Sequence, residues 1–252
     1  MTRLRESIRN QLVPAERVCD MKRPVPFLGT GFLLPEVPLR ARLFLITPRV
    51  VDIATFAPQL EAALAAGDVA SLLIAPDAAS ENDLQAIAEA LVPIAQKHDV
   101  AALVVGNSRV MGRARADGIH IETGETALKE AIEALQPKSI VGAGNLRVRH
   151  EAMEAGEAGA DYIFFGLLDL EEGEEVHRKT IDLGAWWAEL FEPPCVLLSG
   201  RSMASVEVCA RTGADFVAVR AAIWDHPDGP AAAVTEANAI LDRVATERPD
   251  AE

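Results

Sequence analysis

The stretch Ala158-Gly159-Ala160-Asp161-Tyr162-Ile163-Phe164-Phe165-Gly166 is an apolar run entered through one glycine and closed by another. A polar connection with Glu171, Glu172, His177, Arg178 and Lys179 follows, then Trp186-Trp187, then Pro194-Cys195-Val196-Leu197-Leu198-Ser199-Gly200. This reads as a buried strand, a long loop, a helix and a second buried strand. Continuous apolar strands are buried on both faces, as parallel sheets require. In such proteins the carboxyl ends of the strands carry the ligand site.

Outward from that stretch the rhythm repeats. Arg42-Leu43-Phe44-Leu45-Ile46-Thr47 reads as strand 1, followed by a helix over 53–66 that ends at Gly67. Val69 to Ala75 is strand 2, and Ser80 caps a helix running to about His98. Val100–Val105, Gly118–Ile121, Ser139–Gly142 and Phe216–Val219 supply strands 3, 4, 5 and 8, with helices between them and a last helix over 230–245. The expected fold is α/β, a (β/α)₈ TIM barrel over 41–252, with an open doubly wound sheet as the alternative. Gly159-Ala160-Asp161 and Gly213-Ala214-Asp215 recur before strands, with Arg115-Ala116-Asp117 in the equivalent place. Helix-stopping glycines account for that recurrence.

Residues 1–40 differ. Five prolines (Pro14, Pro24, Pro26, Pro35, Pro38) and the basic residues Arg3, Arg5, Arg9, Arg17, Lys22 and Arg23 mark an N-terminal arm. It is read either as an arm packed on the barrel or as a contact for a partner or for a second copy in a homo-oligomer.

The net charge is -14, from 24 basic and 38 acidic residues. Such a chain repels phosphate backbones and anionic membranes, so neither nucleic acid nor membrane is an expected partner. An anionic ligand then needs helix N-termini or a few placed cations. The three cysteines have neither disulfide-framework nor metal spacing, which fits a reducing cytoplasm. No apolar run reaches the roughly 18 residues of a membrane span, and the first residues lack a signal-peptide core.

The expected site lies at the carboxyl ends of strands 7 and 8. Ser199-Gly200-Arg201-Ser202 joins a strand to a helix N-terminus, and Gly200 admits a ligand close to backbone amides. Arg220 and Ala221 follow strand 8, where a guanidinium can hold phosphate oxygens. The expected ligand is a phosphorylated small molecule. His120 is read as either a structural or a functional strand-end histidine. Glu122 and Glu125 are either magnesium ligands or solvated helix-entry carboxylates. The run Glu171-Glu172-Gly173-Glu174-Glu175 is expected to be a mobile, solvated loop, with His177, Arg178 and Lys179 able to close over an anion.

The order of these phrases resembles the thiamine-phosphate synthase family, which includes the thiazole tautomerases, over roughly residues 42–240. The matching words are Leu45-Ile46-Thr47, Asn107, Asp117-Gly118-Ile119-His120, Gly142, Gly159-Ala160-Asp161-Tyr162 with Gly166, Gly200, and Ala218-Val219 with Ala222-Ile223. The resemblance implies a barrel that joins hydroxymethylpyrimidine pyrophosphate to a thiazole phosphate. Magnesium assists departure of pyrophosphate, and the thiazole nitrogen captures the pyrimidine carbocation. By the same resemblance Gly200, Ser199, Arg220 and Ala221 hold the thiazole phosphate, and Gly166, Asn107 and Lys179 contribute to substrate binding. Glu125 aligns with a magnesium ligand.

The sequence departs from the family pattern in several places. Strand 2 lacks the Gln-x-Arg-x-Lys-like cluster that meets pyrophosphate. Asn107-Ser108 stands for Asn-Asp, Gly142-Ala143-Gly144 for Gly-x-Ser, and Ser199-Gly200 for paired glycines. The Thr-x-Thr-Lys of the strand 6 loop is absent, with Arg178 or Lys179 as a displaced cation. The position of the tautomerase histidine falls near Leu146, which gives that activity no support. Cations and metals contribute factors of about 10³ to 10⁵ in phosphate chemistry, so these losses point to a synthase-like protein or to an impaired paralogue that binds a phosphorylated molecule or regulates a partner.

Overall fold

Each apolar run becomes a strand whose successive side chains serve two different cores. In β1 (Arg42–Ile46), Leu43 and Leu45 face the helices while Phe44 and Ile46 face the barrel axis. Side-chain alternation in a strand imposes this, and burial on both faces explains why no polar alternation marks the sequence. The computed structural model describes residues 40–247. After β1 come α1 (Ile53–Ala65), β2 (Val69–Ile74), α2 (Glu81–Lys97), β3 (Ala101–Val105), α3 (Ser108–Ala114), β4 (Gly118–Ile121) and α4 (Glu125–Leu135). Then follow β5 (Ile140–Ala143), α5 (Arg149–Glu157), β6 (Tyr162–Phe165), α6 (Arg178–Leu190), β7 (Cys195–Leu198), α7 (Met203–Arg211), β8 (Phe216–Val219), α8 (Ala221–Trp224) and α9 (Pro230–Glu247).

The strands pair in parallel in chain order, and β8 closes on β1, with Leu43 opposite Val217 and Leu45 opposite Val219. The (β/α)₈ barrel is therefore the fold, and the open sheet is ruled out by that closure. The short helix α8 was not foreseen. Arg40 reaches Asp68, Asp242 and Asn238 and ties the chain entry to the last helix. The rest of the predicted arm lies outside the described residues. No described helix is long and apolar enough to cross a membrane.

The recurring Asp phrases do more than stop helices. Gly159 and Gly213 take φ of +94° and +93°, and Arg115 takes +57°, so all three occupy the left-handed turn that ends a helix. The aspartate two residues on then accepts an amide from the preceding strand. Asp117 takes Ala102 N at 2.9 Å, Asp161 takes Val141 N at 2.8 Å, and Asp215 takes Cys195 N at 2.9 Å. Gln96 and Gln136 brace Asp117 and Asp161 from the helices behind. The expectation of glycine periodicity alone is corrected here: the carboxylate satisfies a strand-entry amide at the closed end of the barrel.

Candidate functional site

Below the strand carboxyl ends the barrel interior is filled by aromatic rings. His120 is fully buried, shares a 2.9 Å hydrogen bond between Nδ1 and the Tyr162 hydroxyl, and meets Phe164 edge-on. Burial alone pushes its pKa down to about 3, and burial also raises the Tyr162 hydroxyl well above its ordinary value. Both are neutral. Two glycines of the β5 end make room for them. A Cβ on Gly142 would lie 2.0 Å from Tyr162 Cζ, and one on Gly144 would lie 2.3 Å from His120 Nε2. Of the two readings of His120, the structure supports the structural one.

Above this packing the β7 and β8 ends bring four predicted residues together. Ser199 is buried and donates its hydroxyl to Gly200 O. Gly200, Arg220 and Ala221 surround the loop after β6, residues 166–177, which crosses over them. The Glu172 side chain is only 5% exposed; its Oε2 accepts Ala221 N at 3.1 Å, and its Oε1 lies 3.3 Å from Arg220 Nη1. Arg201 N donates to Gly173 O at 2.8 Å, while Ser202 gives its N and Oγ to Glu174 O at 3.3 and 2.8 Å. A Cβ on Gly200 would meet Glu174 O at 2.5 Å and Gly173 O at 2.7 Å, so only glycine allows this approach. Arg220 Nη1 also donates to Leu168 O, and Arg49 donates to Leu170 O from the β1 side. The solvated loop of the sequence reading is thus a strap with one buried carboxylate.

Burial lowers the Arg220 pKa from its ordinary value, with Glu172 acting against the shift. Glu122 moves the other way: burial and the Asp169 charge raise its carboxyl, opposed by Arg220.

The remaining predicted residues divide. Gly166 and Lys179 line a cavity of about 330 Å³ with Arg147, His177 and Ser199. Lys179 thus sits in the first turn of α6 on the cavity wall, whereas the Arg178 side chain is 93% exposed and lies beside Asp182. Glu122 and Glu125 line a second cavity of about 570 Å³ at the β4 and β5 ends, and Leu146 and Arg147 line both. Asn107 lines neither. Its Oδ1 caps α3 by accepting Arg109 N and Val110 N at 3.1 and 3.0 Å, and its Nδ2 donates to Glu81. Glu125 pairs with Lys129 one turn along α4.

Magnesium keeps several waters and is usually held by one or two carboxylates together with substrate phosphates. Among the described residues no group of three or more His, Cys, Asp or Glu is placed to hold a metal. Asn107 and Glu125 line no common cavity, so these two residues do not form a shared metal site, while Glu122 and Glu125 line one cavity together.

Sequence reasoning missed Glu172, Asp169, Arg49 and Arg147. Arg147 had the signal of a cation on a strand-end loop. Glu172 had none, because one buried carboxylate in a run of four acids looks like its neighbours.

Comparison with known proteins places these residues in a context. The profile of the family described as thiamine monophosphate synthase matches residues 43–223. A thiamine-phosphate synthase of Rhodospirillum centenum is 40% identical over 203 residues, spanning 79% of this chain and 97% of the relative. The thiamine-phosphate synthase of Hyphomonas neptunium is 36% identical over 82% of this chain and 96% of its own length. A solved thiamine phosphate pyrophosphorylase from Pyrococcus furiosus superposes with a TM-score of 0.68 at 22% identity, covering 82% of this chain and 98% of that one. At that identity the superposition speaks for the fold.

Proposed function

Because the chain belongs to the thiamine-phosphate synthase family, we propose that it works in thiamine biosynthesis and joins hydroxymethylpyrimidine pyrophosphate to a thiazole phosphate. The observation that carries this is the 40% identity across 97% of a thiamine-phosphate synthase. In the reaction the pyrimidine methylene–oxygen bond breaks, and its electron pair leaves with pyrophosphate. The thiazole nitrogen lone pair then forms the new carbon–nitrogen bond.

Two cavities that meet at Leu146 and Arg147 support a two-substrate reaction. The thiazole phosphate is assigned to Gly200, Ser199, Ala221 N and the Arg220 guanidinium. Arg147, which lines both cavities, and Lys179, which lines the smaller one, are the cations assigned to the pyrophosphate. No step is assigned to a metal.

A second reading is favoured by one specific feature. Strand β2 is buried along its whole length and carries no cation. A protein that binds a phosphorylated heterocycle without turnover fits that loss. The experiment is to measure pyrophosphate release and thiamine phosphate formation with both substrates, using Arg220→Ala as control. Turnover that falls in the variant supports synthase action at this corner. Binding of the thiazole phosphate without turnover supports the second reading.

A further inference from the structure

We infer that Glu172 is a placeholder for a ligand phosphate, and that a phosphorylated ligand binds at the β7/β8 corner by displacing it and lifting residues 169–175. This rests on the phosphate assignment made under Proposed function and adds how access to that corner is regulated.

The strap and a phosphate compete for the same donors. Ala221 N and Arg220 Nη1 face the Glu172 carboxylate, while Arg201 N, Ser202 N and Ser202 Oγ are taken by Gly173 O and Glu174 O. The carboxylate nevertheless fits poorly. Arg220 is 5% exposed, yet its Nε has no hydrogen-bond partner among the described residues, and neither has Glu172 Oε1. The pair touches through one 3.3 Å contact instead of the two-pronged pairing a guanidinium favours. Buried charged atoms left without hydrogen bonds are costly. A tetrahedral dianion offers more acceptor oxygens than a carboxylate, and it can reach the Nε that Glu172 leaves unused.

The strap is held by polar contacts more than by apolar ones. Asp169, Leu170, Glu171, Gly173, Glu174 and Glu175 are all exposed. Leu168, just before them, is buried in the barrel interior and stays in place, so lifting residues 169–175 uncovers little apolar surface. Its five carboxylates (Asp169, Glu171, Glu172, Glu174 and Glu175) are repelled by an arriving dianion. Apparent affinity for a phosphorylated ligand is then the intrinsic affinity scaled by the fraction of molecules with the strap raised.

The test is calorimetric titration of inorganic phosphate, in phosphate-free buffer, into the wild type, Glu172→Ala, Glu172→Gln, Arg220→Ala and the Glu172→Ala/Arg220→Ala double variant. In parallel, cleavage of the wild-type strap by a glutamate-specific protease is timed with and without phosphate. The expected result is phosphate affinity raised roughly tenfold or more in Glu172→Ala, loss of that gain in the double variant, and faster strap cleavage when phosphate is present. Equal affinity in the wild type and Glu172→Ala, abolished by Arg220→Ala, would overturn the placeholder while leaving the phosphate assignment standing. Binding indifferent to Arg220, or no binding in any folded variant, would remove the phosphate assignment and the placeholder with it. If Glu172→Ala fails to fold, Glu172→Gln, which keeps the shape and removes the charge, decides together with the wild-type cleavage.

Discussion

His120 Nδ1 and the Tyr162 hydroxyl share a 2.9 Å hydrogen bond inside the barrel, with the two rings nearly parallel and 5.7 Å apart. Burial holds the folded histidine at a pKa of about 3, against 6.5 for an ordinary one. The unfolded chain therefore takes up this proton first as pH falls. The resulting stability is present above pH 6.5 and is lost progressively as pH drops toward 3. Its slope approaches about 1.4 kcal/mol per pH unit. Urea unfolding at several pH values between 7 and 4.5 should show this component in the wild type and lose it in His120→Gln. Identical slopes in the two proteins would rule out His120 as the source.

Gly142 is the counterpart of that ring. An added methyl would lie 2.0 Å from Tyr162 Cζ, and the ring is fully buried between Phe44 and His120. Gly142→Ala is expected to destabilise by at least about 1–3 kcal/mol, as overpacked cores do. Pairing it with Tyr162→Leu should recover part of the loss. A denaturation midpoint unchanged in the single variant would contradict the contact.

At the opposite end, Asp161 should be worth more than a surface carboxylate. Asp161→Ala strands Val141 N and removes the Gln136 brace. Its expected cost is about 1.5–3 kcal/mol, the range for hydrogen bonds to charged groups. Asp161→Asn, which keeps one acceptor oxygen, should cost less. Equal losses in the two variants would show that the charge, and not a retained acceptor oxygen, is what matters there.

Gly200→Ala is expected to eject the strap without unfolding the barrel, because its new Cβ meets Glu174 O at 2.5 Å and Gly173 O at 2.7 Å. The readout is limited proteolysis with a glutamate-specific protease. Cleavage after Glu171, Glu174 or Glu175 should accelerate while circular dichroism stays native. An uncut strap would mean that the loop shifts and settles again over the same corner.

The barrel was legible because its strands are continuous apolar runs separated by helix-stopping residues. Leu43-Phe44-Leu45-Ile46 already implies two buried faces. Ser80 as a cap was equally legible, and its Oγ accepts Asp83 N at 3.2 Å. The site was legible only in part. Gly200, Arg220 and Ala221 do converge, since strand-end positions in a closed barrel are fixed by topology. Asn107 and Glu125 also carry local tasks that helix entry gives them, one as a cap and one as a partner of Lys129. Glu172 was hidden because burial of one acid among four depends on how a loop crosses the mouth, and no periodicity encodes that crossing.

The aromatic filling of the interior has a consequence for how this protein can change. With Tyr162 seated over Gly142 and His120 against Gly144, the barrel has a solid floor directly beneath its ligand face. Substrates work on a shallow stage and cannot sink along the axis. Variation in the loops above can redraw that stage while the plug below goes on holding the strands. New chemistry and folding strength are thereby assigned to different storeys of the same building.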